Sequence, residues 1–153
     1  MRIVLFSLLL ALTGCTATQP SSKAEAVVSL SDTMEIIRSA AESAPNGAKG
    51  EYVLAIKGAG NQGPFVYLNT ETDYRDPRSV TVAIHPKIVP LFIEKYAETP
   101  QEYFIGKSIS VSGEAKRIRI EFISQGKASG KYYYQTHVRV MDIAQIKVVG
   151  ENN

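Results

Sequence analysis

From Glu51 to the C-terminus the apolar residues change from helical spacing to alternation, and this change of period confines the chain to a mainly β fold. Alternation sets one face of each strand against a core, so strands can be placed where it starts and stops. They are expected near residues 52–57, 65–69, 79–84, 107–122 and 131–141, with a short tail at 146–149. Between the third and fourth, residues 86–97 return to helical spacing through Leu91, Phe92, Lys95 and Tyr96, and Pro90 suits a first helical turn. The fourth strand is irregular. Ile109, Val111 and Ala115 keep odd parity, whereas Ile118, Ile120 and Phe122 keep even parity; a bulge near Lys116-Arg117, beside Gly113, would restore one buried face.

Ahead of the strands, Ser31-Asp32 can cap a helix that runs to about Ser43, with Glu35 in its first turn and Met34, Ile37 and Ala41 on one stripe. Ala44-Pro45-Asn46-Gly47 then breaks it. The stripe implies packing against the sheet or its end.

The N-terminus reads as an export signal. Met1-Arg2 supplies the positive start, and residues 3–12 are apolar apart from Ser7, the length of a signal-peptide core and too short to span a bilayer. Leu12-Thr13-Gly14-Cys15 resembles the lipobox of bacterial lipoproteins. That resemblance implies cleavage before Cys15, a diacylglyceryl thioether on its sulfur and an acylated amine, which together hold a membrane more firmly than one chain does at about 0.8 kcal/mol per buried methylene. Thr16 follows where an Asp would signal inner-membrane retention, which by resemblance implies the outer membrane, facing the periplasm, in a Gram-negative cell. Residues 16–23 are polar and include Pro20, a composition that reads as a tether. The chain thus divides into a leader at 1–14, a lipidated tether at 15–23, a helix and linker at 24–50, and a β domain at 51–150.

With 153 residues, 44% hydrophobic and 21% charged, there is room for one core. Formal charge is +2, and Arg2 lies in the expected leader, so the mature chain is nearly neutral and bulk attraction to nucleic acid is not expected. A single cysteine excludes an internal disulfide framework.

Three strands, a helix and two strands is the order of the OB-fold, a five-stranded Greek-key barrel. The phrases Val66-Tyr67-Leu68-Asn69 with Asp73-Tyr74-Arg75-Asp76, then residues 104–113, then Met141-Asp142-Ile143-Ala144-Gln145-Ile146, resemble small bacterial OB domains of the tRNA-anticodon-binding-like kind. The resemblance covers roughly residues 51–149 and implies a closed barrel. An SH3-like barrel or an open meander are the competing folds.

No enzyme signature is present, so no catalytic residue is nominated. His85 and His137 lack metal-ligand spacing, and neither a metal nor a cofactor is expected. The loop Asp73-Tyr74-Arg75-Asp76-Pro77-Arg78 reads as a turn whose charges pair locally rather than as a nuclease centre. By alternation Val66 and Leu68 point inward and Phe65, Tyr67 and Asn69 outward, a platform on which rings could stack, flanked by loops expected at 58–63 and 124–131. Burial of these rings under the N-terminal helix is the competing reading. Residues 107–131 hold Lys107, Lys116, Arg117, Arg119, Lys127 and Lys131 against Glu114 and Glu121, a local basic patch. Expected ligand contacts are Phe65, Tyr67, Asn69, Lys127, Lys131, Arg117 and Arg119. The leading reading is a lipid-anchored, non-catalytic binding or assembly module for an envelope protein or glycan. The alternative is a nucleic-acid-binding or nuclease-like lipoprotein.

Overall fold

The computed structural model describes residues 29–150, so Cys15, the leader and the tether lie outside the described residues. Strand β1 (Ser29–Leu30) leads to Asp32, whose carboxylate accepts from Met34 N at 2.8 Å and starts helix α1 (Thr33–Glu42). Arg38 then bridges Glu35 and Glu42 along the outer face. The expected stripe is shifted: Ile36 and Ala40 are fully buried, Ile37 is partly buried, and Met34 is 54% exposed. Ala40, one turn after Ile36, lets the helix backbone lie close to the strands below it.

The strands that follow are β2 (Ala48–Ala55), β3 (Gly58–Gln62), β4 (Phe65–Asn69), β5 (Val80–Ile84), β6 (Ser108–Ser124), β7 (Lys127–Val140) and β8 (Ile146–Val148). Helices α2 (Val89–Tyr96) and α3 (Pro100–Phe104) lie between β5 and β6. Hydrogen-bonded neighbours run β1-β2-β6-β7-β5-β4-β3, with β8 added beside β6. All pairs are antiparallel except β1 with β2 and β5 with β7. The chain is mainly β, as alternation implied, but the expected closed five-stranded barrel is corrected to an open ladder with more strands. Apart from the two-residue β1 at one edge, its outermost strands are consecutive in the chain: β2 and β3 are separated by Ile56 and Lys57, whose amides donate to Lys107 O and Asn69 O, both at 2.9 Å.

Two expected loops turn out to be paired backbone. Residues 58–62 have little apolar side-chain surface, yet they ladder with β4, Gly58 facing Asn69 and Gln62 facing Phe65, around a turn at Gly63 (φ +57°) and Pro64. Gly58 is needed for close approach, since a Cβ there would sit 3.0 Å from Glu71 O. Likewise β6 and β7 continue to a tight turn at Gln125 and Gly126, both at positive φ, so the expected 124–131 loop is mostly strand.

The helical interruption is also longer than expected. A 3-10 turn (Pro86–Ile88) precedes α2, and α3 follows behind a capping box in which Thr99 and Glu102 exchange hydrogen bonds. Phe92 of α2 and Phe104 of α3 are fully buried, 5.5 Å apart between ring centroids. They close one end of a core whose strand residues include Tyr52, Leu68, Val82, Ile109 and Val138.

Strand β6 explains the parity change. Ladder β2–β6 ends at Ala115, and ladder β6–β7 begins there, with no register shift at Lys116-Arg117. The expected bulge is therefore corrected: Ile109, Val111 and Ala115 face the core, while Ile118, Ile120 and Phe122 lie on the opposite face, half-buried or exposed. The irregularity falls between Glu121 and Ile123. Because β5 pairs β7 only over residues 136–140, residues 118–135 form a two-stranded arm.

Candidate binding groove

The outward faces of β3, β4, β5, β7 and β6 together line a groove of about 1340 Å³. Alternation along β4 buries Val66 and Leu68 and leaves Phe65 and Tyr67 half-buried, their rings 6.2 Å apart and 28° from parallel. In the next strand Tyr67 stands opposite Ala83, and Thr81 and Ala83 are small, so the sheet dips behind the rings. Beyond it, Ile118, Ile120 and Phe122 form an apolar opposite wall, with the Phe122 ring 5.2 Å from Tyr133. An outward sheet face bearing isoleucines and aromatics in one depression is not a typical solvated surface.

Polar groups sit between the walls. Gln135 donates through its side-chain nitrogen to Tyr74 O at 2.8 Å, which leaves its oxygen 2.8 Å from His137 Nε2. The His137 ring packs edge-on to Tyr67 at 5.9 Å. Burial, reinforced by the nearby Arg139 charge, pushes the His137 pKa down to about 4, so the ring is a neutral wall at neutral pH. Lys116 on the rim pairs with Glu114 at 3.0 Å and Arg75 with Asp73 at 3.1 Å. Arg139 has no carboxylate partner among the described residues.

The structure divides the residues singled out from the sequence. Phe65 and Tyr67 lie on the groove wall. Asn69 lines it too, but its side chain is 5% exposed and its oxygen accepts from Thr81 Oγ1 at 2.8 Å. Arg117 and Arg119 occupy the reverse face of the arm, over the rings of Tyr134 at 3.7 Å and Tyr132 at 4.2 Å. Lys127 and Lys131 are exposed toward the arm's tip and do not line the groove. Helix α1 packs against β1, β2, β5 and β6, and none of its residues lines the groove, so it does not cover Phe65 and Tyr67. In the Asp73 to Arg78 turn, Arg75 pairs with Asp73 and Arg78 with Asp76, whose carboxyl the guanidinium draws down to about 2. Ile118, Ile120, Gln135, His137 and Arg139 were not singled out as ligand contacts. The parity change in β6 was the signal that could have found the first two.

No family model matches this sequence, and no curated protein matches it. Among solved structures the fold is similar to an aspartyl-tRNA synthetase from Entamoeba histolytica, with TM-score 0.44 and 15% identity over 90% of this chain and 24% of that one. It is also similar to a mitochondrial single-stranded DNA binding protein from S. cerevisiae, with TM-score 0.38 and 12% identity over 70% of this chain and 98% of that one. The chain thus spans about a quarter of the synthetase's length.

Proposed function

We propose that this chain is a non-catalytic OB-type binding module whose groove holds an extended polymer ligand by ring stacking and side-chain amides. The observation that carries the reading is the outward-facing apolar wall of Ile118, Ile120 and Phe122 set against Phe65 and Tyr67. Topology supports the OB-type reading: counted as two halves of one bent strand, β2 and β3 give the order β3-β4-β5-β7-β6-β2, with a parallel third and fifth strand and helices before the fourth. The groove's charges are mixed and partly paired, which fits a neutral chain such as an envelope glycan or an extended segment of an envelope protein.

A second reading, single-stranded nucleic acid, is favoured by one observation. Arg117 and Arg139 lack carboxylate partners among the described residues, and Lys127 and Lys131 leave the arm basic toward its tip. Titration with an oligothymidylate and with a neutral oligosaccharide over a salt series separates the two, because phosphate contacts weaken steeply with salt. In either case Tyr67→Ala is expected to weaken binding, by about 1 to 3 kcal/mol if a base stacks there, with little loss of thermal stability because the ring is only half-buried. A lowered melting point with unchanged binding would remove this face from consideration.

The membrane address rests on Leu12-Thr13-Gly14-Cys15 and belongs to the same proposal: lipid on Cys15 holds the module at a bacterial membrane, on the periplasmic side of the outer membrane in a Gram-negative cell. Cys15→Ser is expected to yield an unprocessed or mislocalised precursor on membrane fractionation. Recovery of that variant as a processed membrane protein of unchanged mass would overturn the anchor.

A further inference from the structure

We propose that the cavity between α1 and the outer part of β7 is a second ligand site, one that takes a small anion carried on a flat apolar body. The cavity holds about 600 Å³, within the range of small-molecule pockets. Its apolar lining comes from Ile37 and Ala41 of α1, from Pro77, and from the Phe122, Tyr133 and Tyr134 rings of the arm. Its charged lining is Arg75 and Arg117, with no carboxylate-bearing residue on the wall.

The two guanidiniums are in different states. Arg75 is engaged by both oxygens of Asp73, each at 3.1 Å. Arg117 lies over the Tyr134 ring, 3.7 Å from its centroid, and has no carboxylate partner among the described residues. Stacking occupies the face of a guanidinium and leaves its in-plane N–H donors at the edge, the fork that a carboxylate, sulfonate or phosphate accepts from. Thr136, 3% exposed, adds a hydroxyl-bearing side chain to the lining. A positive edge beside an apolar, ring-rich lining is complementary to an aryl or short alkyl anion. The cavity shares Arg75, Phe122 and Tyr133 with the rim of the groove, but Ile37, Ala41 and Tyr134 belong to it alone.

That division makes the site testable with 2-naphthalenesulfonate and its neutral sulfonamide, titrated into the ¹⁵N-labelled full-length chain. The sulfonate is expected to shift the amides of Ile37, Ala41 and Tyr134 and to leave those of Asn61 and Arg139 in place. Arg117→Gln is expected to weaken it at least tenfold, and the sulfonamide should bind the parent protein at least tenfold more weakly than the sulfonate. Shifts centred on Asn61 and Arg139, equal affinity for the two probes, or no shift at millimolar sulfonate would each overturn the proposal. Because the comparison of probes uses the unmodified chain, it holds even if Arg117→Gln fails to fold. Failure here leaves the groove reading standing, since Phe122 is shared but Phe65, Tyr67, Ile118 and Ile120 line the groove and not this cavity.

Discussion

Phe104→Ala is expected to cost about 3 to 5 kcal/mol of folding stability, the range for emptying a fully buried aromatic site. Its ring has no exposed surface and touches three others, with centroids 4.9 Å from Tyr103, 5.5 Å from Phe92 and 6.1 Å from Tyr96. Edge-to-face pairs of this kind add to the area they bury, so truncation removes both packing and oriented ring contacts. The helices α2 and α3 meet the core through this cluster. For a domain of this size the loss corresponds to a fall in Tm on the order of 10 to 20 °C. Urea unfolding with an unchanged slope checks it, and a loss under about 1 kcal/mol would show that the cluster is not packed as described.

The second large effect is a dependence of stability on pH set by His137. Its folded pKa of about 4 lies below the ordinary 6.5, so between these values the unfolded chain binds a proton that the folded chain excludes. Stability contributed by the neutral ring is therefore complete above the unfolded pKa and is lost as pH falls toward the folded one. Between pH 6.5 and 4.5 the loss is expected to be about 2 kcal/mol, because each tenfold rise in proton activity across this window favours the unfolded chain by up to about 1.4 kcal/mol. This window lies above the range in which carboxylates such as Asp76, already drawn down by Arg78, take up protons. Urea unfolding at several pH values should show the fall, and His137→Gln should flatten it. A flat profile in the parent protein would mean that the ring is solvated in the groove.

How legible the molecule was depends on which physical signal each part carried. Alternation placed β4, β5 and most of β7, and the Asp32 cap placed the start of α1, because both are local rules that survive tertiary packing. The outward placement of Phe65 and Tyr67 was legible in the same way, as the odd partners of buried Val66 and Leu68. Strand β3 was not, since Gly58 to Gln62 pairs through its backbone and its side chains carry no period. Helix α3 was announced by Thr99 and Glu102 at capping-box spacing, a signal present but unused.

The deeper failure concerns Ile118, Ile120 and Phe122. Period tells which side chains share a face, and says nothing of which face meets the core. A strand of 17 residues that leaves one partner at Ala115 and continues with another can change its buried side without any bulge. His137, Gln135 and Arg139 were hidden for the same reason, because their role depends on what stands across β6 and β5 from them.

The arm formed by residues 118–135 has a consequence for how the molecule opens. Its two strands hold each other, but among the described residues no ladder runs along either outer edge, and a lone two-stranded ribbon is marginal in water. Its amides should exchange with solvent through local fraying, while those of residues 109–111, paired on both sides by β2 and β8, should exchange only when the whole domain unfolds. One wall of the groove can thus melt and reform while the other stays fixed. A ligand that bridges the walls should then slow exchange most at the arm, far out of proportion to any gain in global stability.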